Sequence, residues 1–189
     1  EQSYDEGEAN VGPWAAKYPG AIGNSLRVEL VDSVGWQRTL AGTLSVPNGS
    51  KAVTGTTTTF TTTTSVGHLL YDNASGKLIG QIDVITDDTH IVLASNTTQA
   101  FTTVTAIAKW QYQNLFDSAP STSDWVSATS GLNDELHAVI VDEDGLFTGT
   151  PETVLERFAF LSKASDAKYD DGSTAYYKTV INRDSLYIL

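Results

Sequence analysis

The sequence predicts a β-rich α+β fold, with a mixed sheet and one or two short helices, interrupted by a small all-β insert of barrel or sandwich type. Three observations carry this. LRVELVD (26–32) and ELHAVIVD (135–142) read as strands far apart in the chain, the first by its period of two and the second by its strongly apolar run. Between them, residues 46–108 hold five short strand-like runs and no helical period. Clear helical spacing is confined to STAYYKTVINRDS (173–185). The expected organisation is a host domain of residues 1–45 with 109–189, and an inserted module at 46–108.

Taken in order, residues 1–10 (EQSYDEGEAN) are acidic and polar. Gly12-Pro13, Tyr18-Pro19-Gly20 and Gly23-Asn24 are turn signals that place a compact loop before the first strand. In that strand Leu26, Val28 and Leu30 alternate with Arg27, Glu29 and Val31, which predicts one buried face. VTGTTTTFTTTT (53–64) is nearly all Thr, a β-branched residue that suits a pleated surface and disfavours helix. Further strands are expected at 68–71, 78–86, 90–94 and 99–108, with 73–77 as a hairpin loop and Asp87-Asp88-Thr89 as a turn.

The segment 150–165 supports two readings. Thr150 as cap, Pro151 at the first turn, and Val154, Leu155, Phe158 and Leu161 fit a helix. Alternation of Phe158, Phe160 and Ser162 with Ala159 and Leu161 fits a strand. The preceding Glu143-Asp144-Gly145 turn favours that strand, paired back onto 135–142. In 173–185, Ser173 is the expected cap, and Tyr177, Val180 and Ile181 share a face. LYIL (186–189) is the expected last strand.

Composition narrows the function. The net charge is −12, from 23 acidic and 11 basic residues with no basic cluster, so a phosphate backbone is repelled and no nucleic-acid partner is expected. No apolar run approaches the ~20 residues of a membrane span, so no membrane partner is expected. Without cysteine there is neither a disulfide framework nor a thiolate metal site. The chain starts at Glu1 and has no methionine, which reads as a piece trimmed from something longer.

No motif carries catalytic chemistry, and the expected catalytic, cofactor-binding and metal residues are none. His68, His90 and His137 lack the HExxH type of spacing that a zinc site uses. There is no GxSxG elbow, GxxxxGK[ST] loop or GxGxxG turn. Asp142-Glu143-Asp144-Gly145 and Asp170-Asp171-Gly172 superficially suggest calcium loops. An EF-hand needs Glu six residues after its Gly, however, and Pro151 and Lys178 stand there, so both read as turns. Asp87-Asp88 reads as a turn likewise. Trp14, Trp36, Trp110 and Trp125 are expected to anchor a core or interface rather than a sugar platform. The alternative is a carbohydrate- or receptor-binding β-module with the Thr-rich insert as reader.

Two segments resemble the contractile tail sheath proteins of tailed phages, the T4-like myoviruses and especially those of the cyanophage type. The first is Trp14-Ala15-Ala16-Lys17-Tyr18-Pro19-Gly20 with Gly23-Asn24-Ser25-Leu26, which is similar to an "AKYPGxxGNxL" entry into a sheet. The second is residues 134–189, similar to that family's strand, Asp-Gly turn, second strand and "YYxxVINxxS" helix. With YQNLFDSAP (112–120), the resemblance covers about half the chain and leaves 46–108 without a counterpart. It implies a non-enzymatic virion protein without cofactors, located in the virion tail and assembled in the host cytoplasm. The implied partners are other copies in a helical lattice, a tail tube protein and a baseplate. It also implies a middle, outward-lying domain that does not polymerise alone, because the strand-donating arms lie outside this chain.

Overall fold

A computed structural model describes residues 14–189, so the acidic opening at 1–10 and Gly12-Pro13 lie outside the described residues. Strands follow as β1 (Leu26–Asp32), β2 (Gln37–Thr39), β3 (Thr43–Val46), β4 (Ala52–Thr56), β5 (Leu69–Asp72) and β6 (Leu78–Ile85). The rest are β7 (His90–Leu93), β8 (Phe101–Val104), β9 (Ala106–Lys109), β10 (Glu135–Asp142) and β11 (Thr153–Ser162). Contacts divide the chain into two compact units, residues 1–33 with 119–189, and residues 34–118. The fold is β-rich α+β, with short helical segments.

In the first unit β1, β10 and β11 form an antiparallel sheet in that order. All of β1 pairs with β10, from Leu26 opposite Asp142 to Asp32 opposite Leu136. β10 is the central strand and is buried from Leu136 to Asp142. A strand covered on both faces reads as a near-continuous apolar run, which is why ELHAVIVD does not alternate. Leu136, Ala138 and Ile140 join Leu161, Val180, Ile181 and Ile188 in one core, and Leu26, Val28 and Phe158 pack against it. The alternation in β1 fails at its end: Leu30 is 42% exposed while Val31, opposite His137, is 5% exposed.

Segment 153–162 is a strand. β10 has a second ladder edge, and pairing β11 there satisfies backbone groups that a helix would leave bare. Helix Tyr177–Asp184 buries Val180 and Ile181 as its spacing predicts, but Ser173 is not its cap. The Ser173 hydroxyl instead donates to Asp171 at 2.6 Å within the preceding turn. Residues 186–189 form a bridge with the start of the chain, Ile188 opposite Ala16, rather than a full strand. Every strand pair in the two sheets is antiparallel, so the sheets are not mixed: some neighbours are joined by short turns, while β1 and β10 meet across the whole intervening unit of the sequence. Among the described residues, the parallel contact is the isolated bridge Ser162–Tyr176.

The second unit is one eight-stranded sheet in the order β2-β9-β5-β6-β7-β4-β3-β8. Its order is open, so no closed barrel forms. β6 pairs with β5 through its first half and with β7 through its second, with a register shift between Ile82 and Val84. One core gathers Leu44, Val53, Phe60, Leu70, Ile82, Leu93 and Phe101. The Thr-rich run is not one strand. β4 ends at Thr56, and Phe60–Thr63 makes a helical turn whose Phe60 is fully buried. Burying that ring outweighs the strand preference of its Thr neighbours, and the hydroxyls of Thr63 and Thr64 bond back to the carbonyls of Thr59 and Phe60. The run 99–108 also breaks at Thr105, so that β8 pairs with β3 while β9 pairs with β5 and β2. The unit starts at Val34 and ends at Ser118, wider than 46–108. β2 and β3 belong to its sheet, and Trp36, Trp110 and Phe116 pack together at its ends.

Candidate functional site

Two carboxylates fasten the first unit. Asp142, at the end of β10, accepts from the Ser25 hydroxyl at 2.7 Å on Oδ1. Its Oδ2 accepts from the backbone of Phe147 and Thr148 and from the Thr148 hydroxyl, at 3.0, 2.8 and 2.9 Å. Ser25 Oγ accepts in turn from the Asp144 backbone N–H at 3.1 Å. Burial pushes the Asp142 carboxyl up, but the hydrogen bonds from Ser25, Thr148 and Phe147 together outweigh it and hold the group at about 2. The Asp142-Glu143-Asp144-Gly145 run is therefore a turn built around an occupied carboxylate.

Asp134 does the same one strand-length away. Its carboxylate accepts from the Ser123 N–H and hydroxyl, each at 2.8 Å, and from the Ser162 hydroxyl. Burial raises this group as well, and the Ser162 and Ser123 donors lower it by more, leaving it below the ordinary carboxylate range. Ser123 also caps the helical turn Asp124–Ser127 through the Val126 N–H. One acidic side chain thus ties β11 to the segment that carries Trp125.

β11 contains a bulge. Leu136 faces Leu161 and Ala138 faces Phe158, so Ala159 and Phe160 together oppose His137. Phe160 takes φ +52°, a left-handed backbone that is unusual for a bulky residue. The buried His137 holds it there: Nδ1 accepts the Phe160 N–H at 3.0 Å, and the two rings meet edge to face at 4.7 Å. Phe160 then lines a hollow of about 490 Å³ together with Trp125, Tyr169, Lys168, Asp124 and Asp170. The Trp125 indole is 40% exposed, and the Lys168 ammonium stands 5.7 Å from its centre. Burial pushes the Tyr169 hydroxyl above its usual range.

The other residues singled out in the sequence scatter. His68 accepts the Ser65 N–H, and burial lowers its pKa. His90 pairs with Asp87, whose carboxyl is held at about 2 by the Thr89 N–H and hydroxyl and by His90. In Asp170-Asp171-Gly172 the Asp171 carboxylate accepts from Ser173, which pulls it down. Among the described residues no three His, Asp or Glu side chains converge to hold a metal ion. Trp36 and Trp110 lie in the aromatic group of the second unit, and Trp14 meets Tyr177 edge to face at 6.1 Å. Asp134, the bulge at Phe160 and the pairing of Trp125 with Lys168 had no signal in the sequence, since each depends on a distant partner.

This geometry is that of a fastened scaffold, with buried carboxylates that are already satisfied. Over 192 aligned residues the chain is 23% identical to the tail sheath protein of Salmonella phage ViI, covering 93% of this chain and 30% of that protein. The likeness is to a phage tail sheath protein. No family model matches, and no solved structure matches. The chain spans about a third of the length of the curated relative it matches. Among the described residues no helix is long and apolar enough to cross a membrane.

Proposed function

We propose that this chain is a structural, non-enzymatic segment of a contractile tail sheath subunit. The observation that carries the reading is the extent of the similarity, which runs over 93% of the chain and so includes most of the Thr-rich unit as well as the three-stranded sheet. The β1–β10 ladder supports it by uniting the two segments that resemble sheath proteins. In this reading the partners are further copies in a helical lattice, with tube and baseplate contacted through other parts of a longer protein. The place of action is the virion tail, assembled in the host cytoplasm. A lattice that shortens by moving subunits as bodies requires stiff units, and close-packed cores fastened by buried carboxylates resist continuous deformation.

Electron cryomicroscopy of purified particles that carry this sequence tests the proposal, in extended and contracted tails. Both units are expected in the layer around the tube, keeping their internal structure while their lattice neighbours change. Density for the chain in a fibre, capsid or tube, with none in that layer, would remove the assignment.

A further inference from the structure

We propose that the hollow around Trp125 receives a cationic side chain, arginine or lysine, presented by another protein. This inference stands whether or not the sheath reading holds. An indole left 40% exposed in a concave site, beside Tyr169 and a Phe160 that the bulge delivers there, is the kind of surface that anchors a partner. The indole already faces an ammonium, that of Lys168 at 5.7 Å, within the ~6 Å over which a cation is attracted to an aromatic face. The chain's own lysine thus marks the position of the guest.

Charge selects the guest further. Asp124, Glu135, Asp170 and Asp171 line the hollow against the single Lys168. Asp171 is engaged by Ser173 and Glu135 by Ser121. The Asp124 and Asp170 carboxylates are exposed and take part in no hydrogen bond or ion pair among the described residues. An arginine placed there stacks its planar guanidinium on the indole while its N–H fork reaches a carboxylate, two interactions that reinforce each other. Lys168 is itself exposed on a flexible stem, so it can swing out to water when the guest enters.

The test uses the whole chain labelled with nitrogen-15 and follows the indole N–H resonances of its four tryptophans. Trp125→Phe assigns the Trp125 signal. N-acetyl-arginine amide is expected to move that signal saturably, with a Kd of about 1 mM or weaker, typical of a single side chain. The neutral N-acetyl-glutamine amide and glucose are expected to leave it in place. The double variant Asp124→Asn/Asp170→Asn should weaken binding about three- to tenfold, the scale of one or two exposed charge contacts. Lys168→Met should strengthen it, because the resident ammonium no longer competes. The unmoved resonance of Trp14, which packs against the core of the same unit, reports that each variant is folded. A Trp125 signal that ignores arginine overturns the proposal. So does one that answers glucose or the glutamine analogue equally, or an unchanged affinity in both the Asn and Met variants.

Discussion

Asp142 accepts four hydrogen bonds from Ser25, Phe147 and Thr148, and its carboxyl is held at about 2 against an ordinary value of 3.8. A carboxylate depressed in the folded state contributes stability that is fully present above its unfolded pKa and lost as pH falls through the folded one. The protein should therefore lose stability between about pH 4 and pH 2, and Asp134, shifted the same way, adds to that limb. Thermal melts across this range should show a flatter acid limb for Asp142→Asn than for the parent; parallel curves would show that the carboxylate is not responsible. His137→Ala removes the acceptor of the Phe160 N–H and the ring beneath it. A loss of about 1–3 kcal/mol in urea unfolding is expected, as for a hydrogen-bonded group left without its partner. Neither role was legible in the sequence. Asp142 stands before Glu-Asp-Gly and looks like a turn residue, and His137 is one polar residue in an apolar strand.

At the scale of elements, side-chain pattern located most strands but not the short β2 and β3, and tertiary pairing set their limits. β10 and the helix Tyr177–Asp184 fall where their apolar spacing placed them. The Thr run did not remain a strand, because one phenylalanine within it is drawn fully into the core. The 99–108 run divides at Thr105 because its two halves pair with different neighbours, which no local pattern encodes. Turn glycines give a graded test. Gly42, between β2 and β3, has φ +74°, and a Cβ there would stand 2.2 Å from the Thr56 carbonyl oxygen. Gly76 has φ +67° but open space around it. Gly76→Ala should cost about 1–2 kcal/mol, the penalty of a left-handed L-residue. Gly42→Ala should cost clearly more, since backbone must also move; equal midpoints in urea would contradict this corner.

At the scale of the whole molecule, each unit has a core of its own. Residues 34–118 contain every strand of the eight-stranded sheet, and β2 pairs with β9, so their ends meet in one ladder. Expressed alone, this segment is expected to fold, giving one cooperative urea transition and a dispersed amide spectrum. A collapsed spectrum would mean that its sheet is completed by the rest of the chain. What the sequence determined by itself is local: the strands near 26–32, 68–71, 78–86, 90–94 and 135–142, several turns, and the helix within 173–185. These follow from the chemistry of residues a few positions apart. Only the tertiary structure decided the strand order, the bulge that turns Phe160 toward Trp125, and which carboxylates lie buried. Those outcomes rest on partners such as Ser25 and Asp142, separated by 117 positions, and spacing along a chain carries no record of what folding brings together.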